Sequence, residues 1–228
     1  MFLLLVSLLG LEIGGMKMIK PAIAPETLCY TMSIASGEEG SSIYMVSEEK
    51  FKERNAVKLT TITTLGHDTS AFYDTITLFI DLNTFEPLML KRAMRGKFSA
   101  TITGDYQKDK VKVHLETKQG EKKFNIKREK GAVDNDEIVY ILRWLDLKGP
   151  KKGTLTDITP AGGTTIKVNW EYAGDTTITI SGKGFKAYNV KLNFLGRTVS
   201  VYYEKELPRR MLKYIDVSSG TKMTLRLD

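Results

Sequence analysis

From Leu28 almost to the C-terminus the apolar residues of this chain recur at every second position. A chain patterned with period two buries one face of a sheet, so helical folds are excluded for most of its length. Leu28, Tyr30, Met32 and Ile34 alternate with Cys29, Thr31, Ser33 and Ala35, and the glycines 37 and 40 then supply a turn before Ile43 to Val46. Further strands read as Val57 to Leu65, Phe72 to Ile80, Leu88 to Met94 and Lys97 to Tyr106, with the charged stretch Ser47 to Arg54 left as a helical turn or loop. Gly96, Gly104, Gly120, Gly131, Gly153, Gly174, Gly196 and Gly220 fall between apolar runs at intervals suited to a long antiparallel meander. On the order of a dozen strands is expected.

One segment departs from this period. In Asp134 to Leu147 the apolar residues Ile138, Ile141, Leu142 and Leu145 lie at i, i+3, i+4 and i+7, which predicts an amphipathic helix over about 135–147. Asp134, Asn135 and Asp136 are N-cap candidates, and Gly149-Pro150 stops the chain beyond. A helix with one apolar stripe must lie on something apolar, and the partner on offer is a face of the sheet. The expected fold is therefore mainly β: a large, strongly curved antiparallel sheet, a half-barrel or clam, with that single helix packed on it. The 228 residues show no internal repeat and no linker, so residues 25–228 read as one β-rich domain.

Residues 1–24 read as a leader. Phe2 to Leu11 (FLLLVSLLGL) has the length of a signal-peptide core and is too short to span a bilayer. The basic stretch that ordinarily precedes such a core is missing, as in a clipped export signal, and Ala22-Ile23-Ala24 has the small-x-small pattern of a cleavage site. The alternatives are a buried N-terminal strand or helix, or translation starting at Met16 or Met18. Export to the periplasm or cell envelope is the expectation.

The formal charge of +7 is local. Residues 86–133 hold 13 Lys and Arg against 6 Asp and Glu, which equals the excess of the whole chain. An anionic partner is one reading. These charges largely alternate with apolar residues, as in Lys110-Val111-Lys112-Val113, which is also how a solvated strand face looks. Arg92, Arg95, Lys112, Lys122, Lys127 and Arg128 are the candidates for contact with phosphate headgroups or an anionic membrane surface. Nucleic acid is not expected as a partner, because the aromatic residues of this segment, Phe98 and Phe124, fall where alternation turns them inward.

The residues supply no catalytic constellation, and the chain is read as a non-enzyme. His67-Asp68-Thr69-Ser70 offers a base, an acid and hydroxyls, but neighbours on a strand or turn point in different directions. No G-x-S-x-G elbow is present, and Gly182-Lys183-Gly184 lacks the rest of a phosphate loop. One cysteine excludes an internal disulfide, and two histidines exclude a zinc site of the usual cysteine and histidine ligands; any metal site would have to use carboxylates. Asp134-Asn135-Asp136-Glu137 lacks the glycine and distal glutamate of a calcium loop, and helix capping explains it better. No metal and no cofactor is implied.

The order of features resembles an uncharacterised group of bacterial exported proteins, domain-of-unknown-function family 3108, over roughly Pro25 to Asp228. The resemblance rests on Glu26-Thr27-Leu28-Cys29-Tyr30, on the turn Asp81-Leu82-Asn83-Thr84-Phe85-Glu86-Pro87, on Tyr140-Ile141-Leu142-Arg143, and on a closing hairpin built from Val201-Tyr202-Tyr203, Leu207-Pro208 and Met211-Leu212-Lys213-Tyr214. It implies a periplasmic or envelope location and, by fold analogy, likeness to the curved sheets of LolA- and LppX-type lipoprotein carriers.

A curled sheet of a dozen strands has a concave face larger than one helix covers. Met32, Ile34, Phe79, Leu90, Phe98, Ile102, Phe124, Trp170, Leu192 and Tyr203 are the candidates for it, and such a face would hold a lipid or other hydrophobic small molecule. The alternative is that the same residues fill a dry core. The functional expectation is therefore an exported envelope protein binding a lipid-like or other hydrophobic ligand. The alternative is a non-catalytic envelope scaffold whose sheet edge binds a protein partner.

Overall fold

The computed structural model describes residues 11–19, 23–66, 71–96 and 98–227. Most of the export-signal core and the whole of His67-Asp68-Thr69-Ser70 lie outside these residues. Strands β1 (Leu11–Ile13) and β2 (Met16–Met18) form a small hairpin, and Met16 and Met18 are buried in the main core. A first meander runs through β3 (Glu26–Ser33), β4 (Glu39–Phe51), β5 (Arg54–Leu65), β6 (Phe72–Asp81), β7 (Pro87–Arg95), β8 (Ala100–Tyr106), β9 (Lys110–Thr117) and β10 (Gly120–Lys127). After the two-residue β11 (Val133–Asp134) comes α1 (Ile138–Ile141), and a second meander then follows: β12 (Lys152–Thr159), β13 (Thr164–Ile180), β14 (Lys183–Phe194), β15 (Arg197–Glu204), β16 (Met211–Asp216) and β17 (Thr221–Leu225).

The two meanders are joined where β17 pairs antiparallel with β3, giving one sheet of fifteen strands among the described residues. Its order runs from β10 through β3, β17 and β12 to β11. The expected strongly curved half-barrel or clam is corrected here: the sheet is open, with β10 at one edge and β11 at the other and no ladder joining them. The edges themselves supply the reason. β11 has only two residues and pairs in parallel with β12. β10 is studded with Lys122, Lys123 and Lys127, all exposed, which discourages edge pairing. An open sheet of this kind is not the clam of a curved-sheet lipid carrier.

The charged stretch Ser47 to Arg54 is not a separate turn. β4 runs on to Phe51 and β5 starts at Arg54, so the charges are its solvated residues. Lys52 and Glu53 alone make the turn, with φ of 45° and 65°, the positive pair that matches the twist of a two-residue hairpin.

The expected long amphipathic helix is also corrected. α1 has four residues and continues as a single 3-10 turn, Leu142–Trp144. Ile138, Tyr140, Ile141, Leu142, Arg143, Trp144 and Leu145 are all buried, so the segment has no solvated face. It is a plug held by side chains. The Tyr203 hydroxyl donates to the Val139 carbonyl at 2.5 Å, the Tyr188 hydroxyl to Arg143 at 2.9 Å, and Arg209 Nη1 to Leu145 at 2.7 Å, satisfying carbonyls that the short helix leaves open. Chain extension is blocked because β2 takes the next backbone groups, Ile19 N–H donating to Trp144 O and Asp146 N–H to Lys17 O.

Arg143 anchors the plug from the other side. It is 4% exposed, forms an ion pair with Glu26, and donates through Nη2 to the Pro208 carbonyl at 2.7 Å. Three chain regions far apart in sequence, β3, the plug and the loop before β16, are thereby fixed at one residue. Trp170 is buried in β13 above Gly153, where a Cβ would come within 2.8 Å of its ring nitrogen, and that nitrogen donates to Gly14 O at 3.4 Å.

Candidate functional site

Strand alternation turns Asp74, Ile76, Leu78 and Ile80 of β6 to the interior, together with Leu90 and Arg92 of β7 and Leu155 and Asp157 of β12. The register places Ile76 opposite Arg92 and Leu78 opposite Leu90. Three charged residues, Asp74, Arg92 and Asp157, thus occupy positions that the pattern reserves for the core, and they meet the acidic segment that precedes α1. The result is a cavity of about 340 Å³ whose lining includes Asp74, Arg92, Asn135, Asp136 and Asp157. Met32, Ile76, Ile138, Val139, Val168, Leu192, Val199 and Met223, contributed by both meanders and the plug, add apolar surface to the same lining, together with the hydroxyl-bearing Tyr44, Thr61, Thr63, Tyr214 and Thr221. The volume is at the lower end of the range for small-molecule sites.

Arg92 grips Asp74 bidentately, Nε to Oδ1 at 3.0 Å and Nη2 to Oδ2 at 2.5 Å, and its Nη1 stands 3.7 Å from Asp136 Oδ2. Asp134 is folded into the turn behind. Its Oδ1 accepts from the Asp136 N–H at 2.8 Å, its own N–H donates to Glu137 Oε2 at 3.1 Å, and its Oδ2 accepts from the Tyr106 hydroxyl. Asp157 is 1% exposed, and its Oδ1 has no hydrogen-bond partner.

Burial and mutual repulsion set the protonation of this wall. Burial, reinforced by Asp136, pushes the Asp157 carboxyl up to about 7. Burial also raises Asp134 and Glu137, and it raises Asp136 against the opposing pull of Arg92. Burial works against the charge of Arg92, yet its bond to Asp74 holds the guanidinium above its usual value.

The residues singled out from sequence are dispersed. Met32 and Leu192 line the cavity. Leu90, Ile102 and Trp170 are packed core, and Tyr203 is core with its hydroxyl on the plug. Phe79 takes the outer parity of β6 and stacks on Phe51 at 4.8 Å. Ile34 lies past the end of β3 in the turn to β4, and Phe124 is half-buried beside Gly163. Phe98 is 71% exposed, because Gly96 at φ 119° ends β7 and the strand resumes only at Ala100.

Of the six cations offered for headgroup contact, Arg95, Lys112, Lys122 and Lys127 are exposed. Arg92 and Arg128 instead turn inward. The Arg128 side chain, 6% exposed, donates to Gln107 O at 3.0 Å and lies over the Tyr106 ring.

The carboxylates of the cavity were missed in the sequence. Asp74 and Asp157 carried a signal, since each shares parity with core residues of its own strand, whereas Asp136 was absorbed into helix capping. His114, Glu116 and Glu121 place ligand-type atoms within 4.8 Å of one another on β9 and β10, the one such group among the described residues. His114 Nε2 is 2.7 Å from Glu121, and both glutamates face solvent.

No protein-family model matches the chain, and no curated protein matches it. The resemblance to family 3108 therefore rests on its motifs alone. A solved structure with the same fold is that of a beta-barrel-like protein of domain of unknown function DUF1849 from Brucella abortus. The match has a TM-score of 0.63 at 11% identity, covering 90% of this chain and 96% of the other. At that identity the likeness establishes a shared β-sheet fold.

Proposed function

We propose that this chain is a cell-envelope protein that binds a small molecule with an apolar body and a polar end in the cavity between its two meanders. The observation that carries the reading is the composition of that cavity: about 340 Å³ lined by apolar side chains of both meanders together with Asp74, Arg92, Asn135, Asp136 and Asp157. Burying a few hundred Å² of ligand at roughly 25 cal/mol per Å² offers several kcal/mol before the cost of association is subtracted. Asp157 fits this reading, since burial in the cavity lining raises its carboxyl to about 7, the kind of perturbation that clusters at binding sites.

The location is proposed from the apolar run Phe2 to Leu11 and from the motif resemblance to the exported family 3108. Native mass spectrometry of the protein purified from bacterial envelopes, followed by organic extraction, tests the binding role. A co-purifying small molecule in near-stoichiometric amount is expected. A clean apo mass that amphiphiles do not shift would remove the reading.

A further inference from the structure

We propose, resting on the cavity reading above, that the ligand presents an organic cation, a primary or secondary ammonium, to Asp157 and Asp136 while its hydrocarbon part lies against Val168, Leu192 and Val199. The charge balance of the wall points this way. Three carboxylates, Asp74, Asp136 and Asp157, face Arg92, the single cation of the lining among the described residues, which is committed to Asp74 through two bonds; Asp136 stands 3.7 Å from Arg92 and accepts from Asn135 Nδ2 at 3.5 Å, and Asp157 Oδ1 has no hydrogen-bond partner in the protein. A buried carboxylate oxygen without a donor is costly, and a charged N–H from a ligand offsets that cost directly.

The alternatives of other charge fit less well. An anion would have to share Arg92 with Asp74 and sit beside Asp136 and Asp157, three carboxylates against that cation. A divalent metal ion needs ligand atoms that converge, and among the described residues the cavity carboxylates form no group of three within 4.8 Å. A secondary ammonium donates two N–H groups and a primary one three, and Asp136, Asp157 and Asn135 of the cavity lining offer acceptors for them. Burial brings the Asp157 carboxyl to about 7, so it is ionised at pH 8.

The test compares three probes of one length, octylammonium, octan-1-ol and octanoate, by titration calorimetry at pH 8 on the whole chain. The amine is expected to bind at least about tenfold more tightly than the alcohol, with no detectable binding of octanoate. Asp157→Asn, an isosteric change, should bring the amine to within about threefold of the alcohol when both are measured on that variant. Asp136→Asn serves as the second variant and should reduce the same preference.

Equal affinity for amine and alcohol, or a preference for octanoate, overturns the cation assignment while leaving the cavity as a binding site. Failure of all three probes overturns the cavity reading and this inference together. An amine preference that survives both substitutions places the cation elsewhere and overturns the assignment.

Discussion

Asp157→Asn should stabilise the protein, and only above the acid range. In the folded chain the carboxyl of Asp157 is raised from its ordinary 3.8 to about 7, chiefly by burial and then by Asp136. A carboxyl with a raised folded pKa holds its proton more tightly when folded. Its contribution is therefore complete below about pH 3.8 and is lost as the pH climbs to about 7. Three pH units at about 1.36 kcal/mol each give a loss of up to about 4 kcal/mol by pH 8. Asparagine cannot ionise and escapes it. For a chain of this size each kcal/mol moves Tm by about 2–4 °C, so the variant should gain roughly 8 °C or more at pH 8 relative to its own difference from wild type at pH 4. Differential scanning calorimetry at both pH values reads it out. Asp134, Asp136 and Glu137, also raised by burial, keep a residual pH slope in the variant. An equal shift at both pH values, or a loss specific to pH 8, would refute the argument that an ionised Asp157 burdens the fold.

Three further changes probe the scaffold. Arg143→Ala strands Glu26 and the Pro208 carbonyl in a largely buried setting and should cost about 3–5 kcal/mol in urea unfolding, whereas Arg95→Ala on the exposed end of β7 should stay within about 0.5 kcal/mol. Tyr203→Phe removes the 2.5 Å bond to Val139 O and leaves that carbonyl unpaired, so a loss of about 1–3 kcal/mol is expected in the same assay. In Gly40→Ala the added Cβ would meet Thr64 O at 2.0 Å and Leu65 Cα at 2.9 Å across the β4–β5 ladder, and far-ultraviolet circular dichroism should report a lower Tm by many degrees.

How legible this molecule is in its sequence depended on whether neighbours along the chain were sufficient to decide each point. Period two in β6 and β7, and the turn glycines around them, are local facts, and those strands read to within a residue or so at each end. Ser47 to Arg54 misled because outward charges on a long strand look like a loop when the partner strand is not visible. The stripe Ile138, Ile141, Leu142 and Leu145 misled for the opposite reason. The residues between those apolar positions are buried too, Arg143 by Glu26 and Tyr140 by the sheet, so the stripe was one part of a wholly enclosed plug.

The joining of the two meanders depended on the pairing of β17 with β3, and the open edges on what β10 and β11 could accept, which no window of sequence contains. For the same reason Arg92 read as a surface cation. Its inward parity was visible, but its partner Asp74 lies on the neighbouring strand, 18 residues away.

The central claim is that the cavity between the meanders is a ligand site. Filling it tests that claim most directly. Val199 of β15 and Val168 of β13 line the cavity and are buried. Val199→Phe, with Val168→Phe as a second case, should put the larger ring into the empty space, leave Tm unchanged or higher, and weaken octylammonium binding by at least about tenfold in calorimetric titration. Retained folding with undiminished affinity in both variants would contradict the account, because the probe would then be binding somewhere other than the cavity.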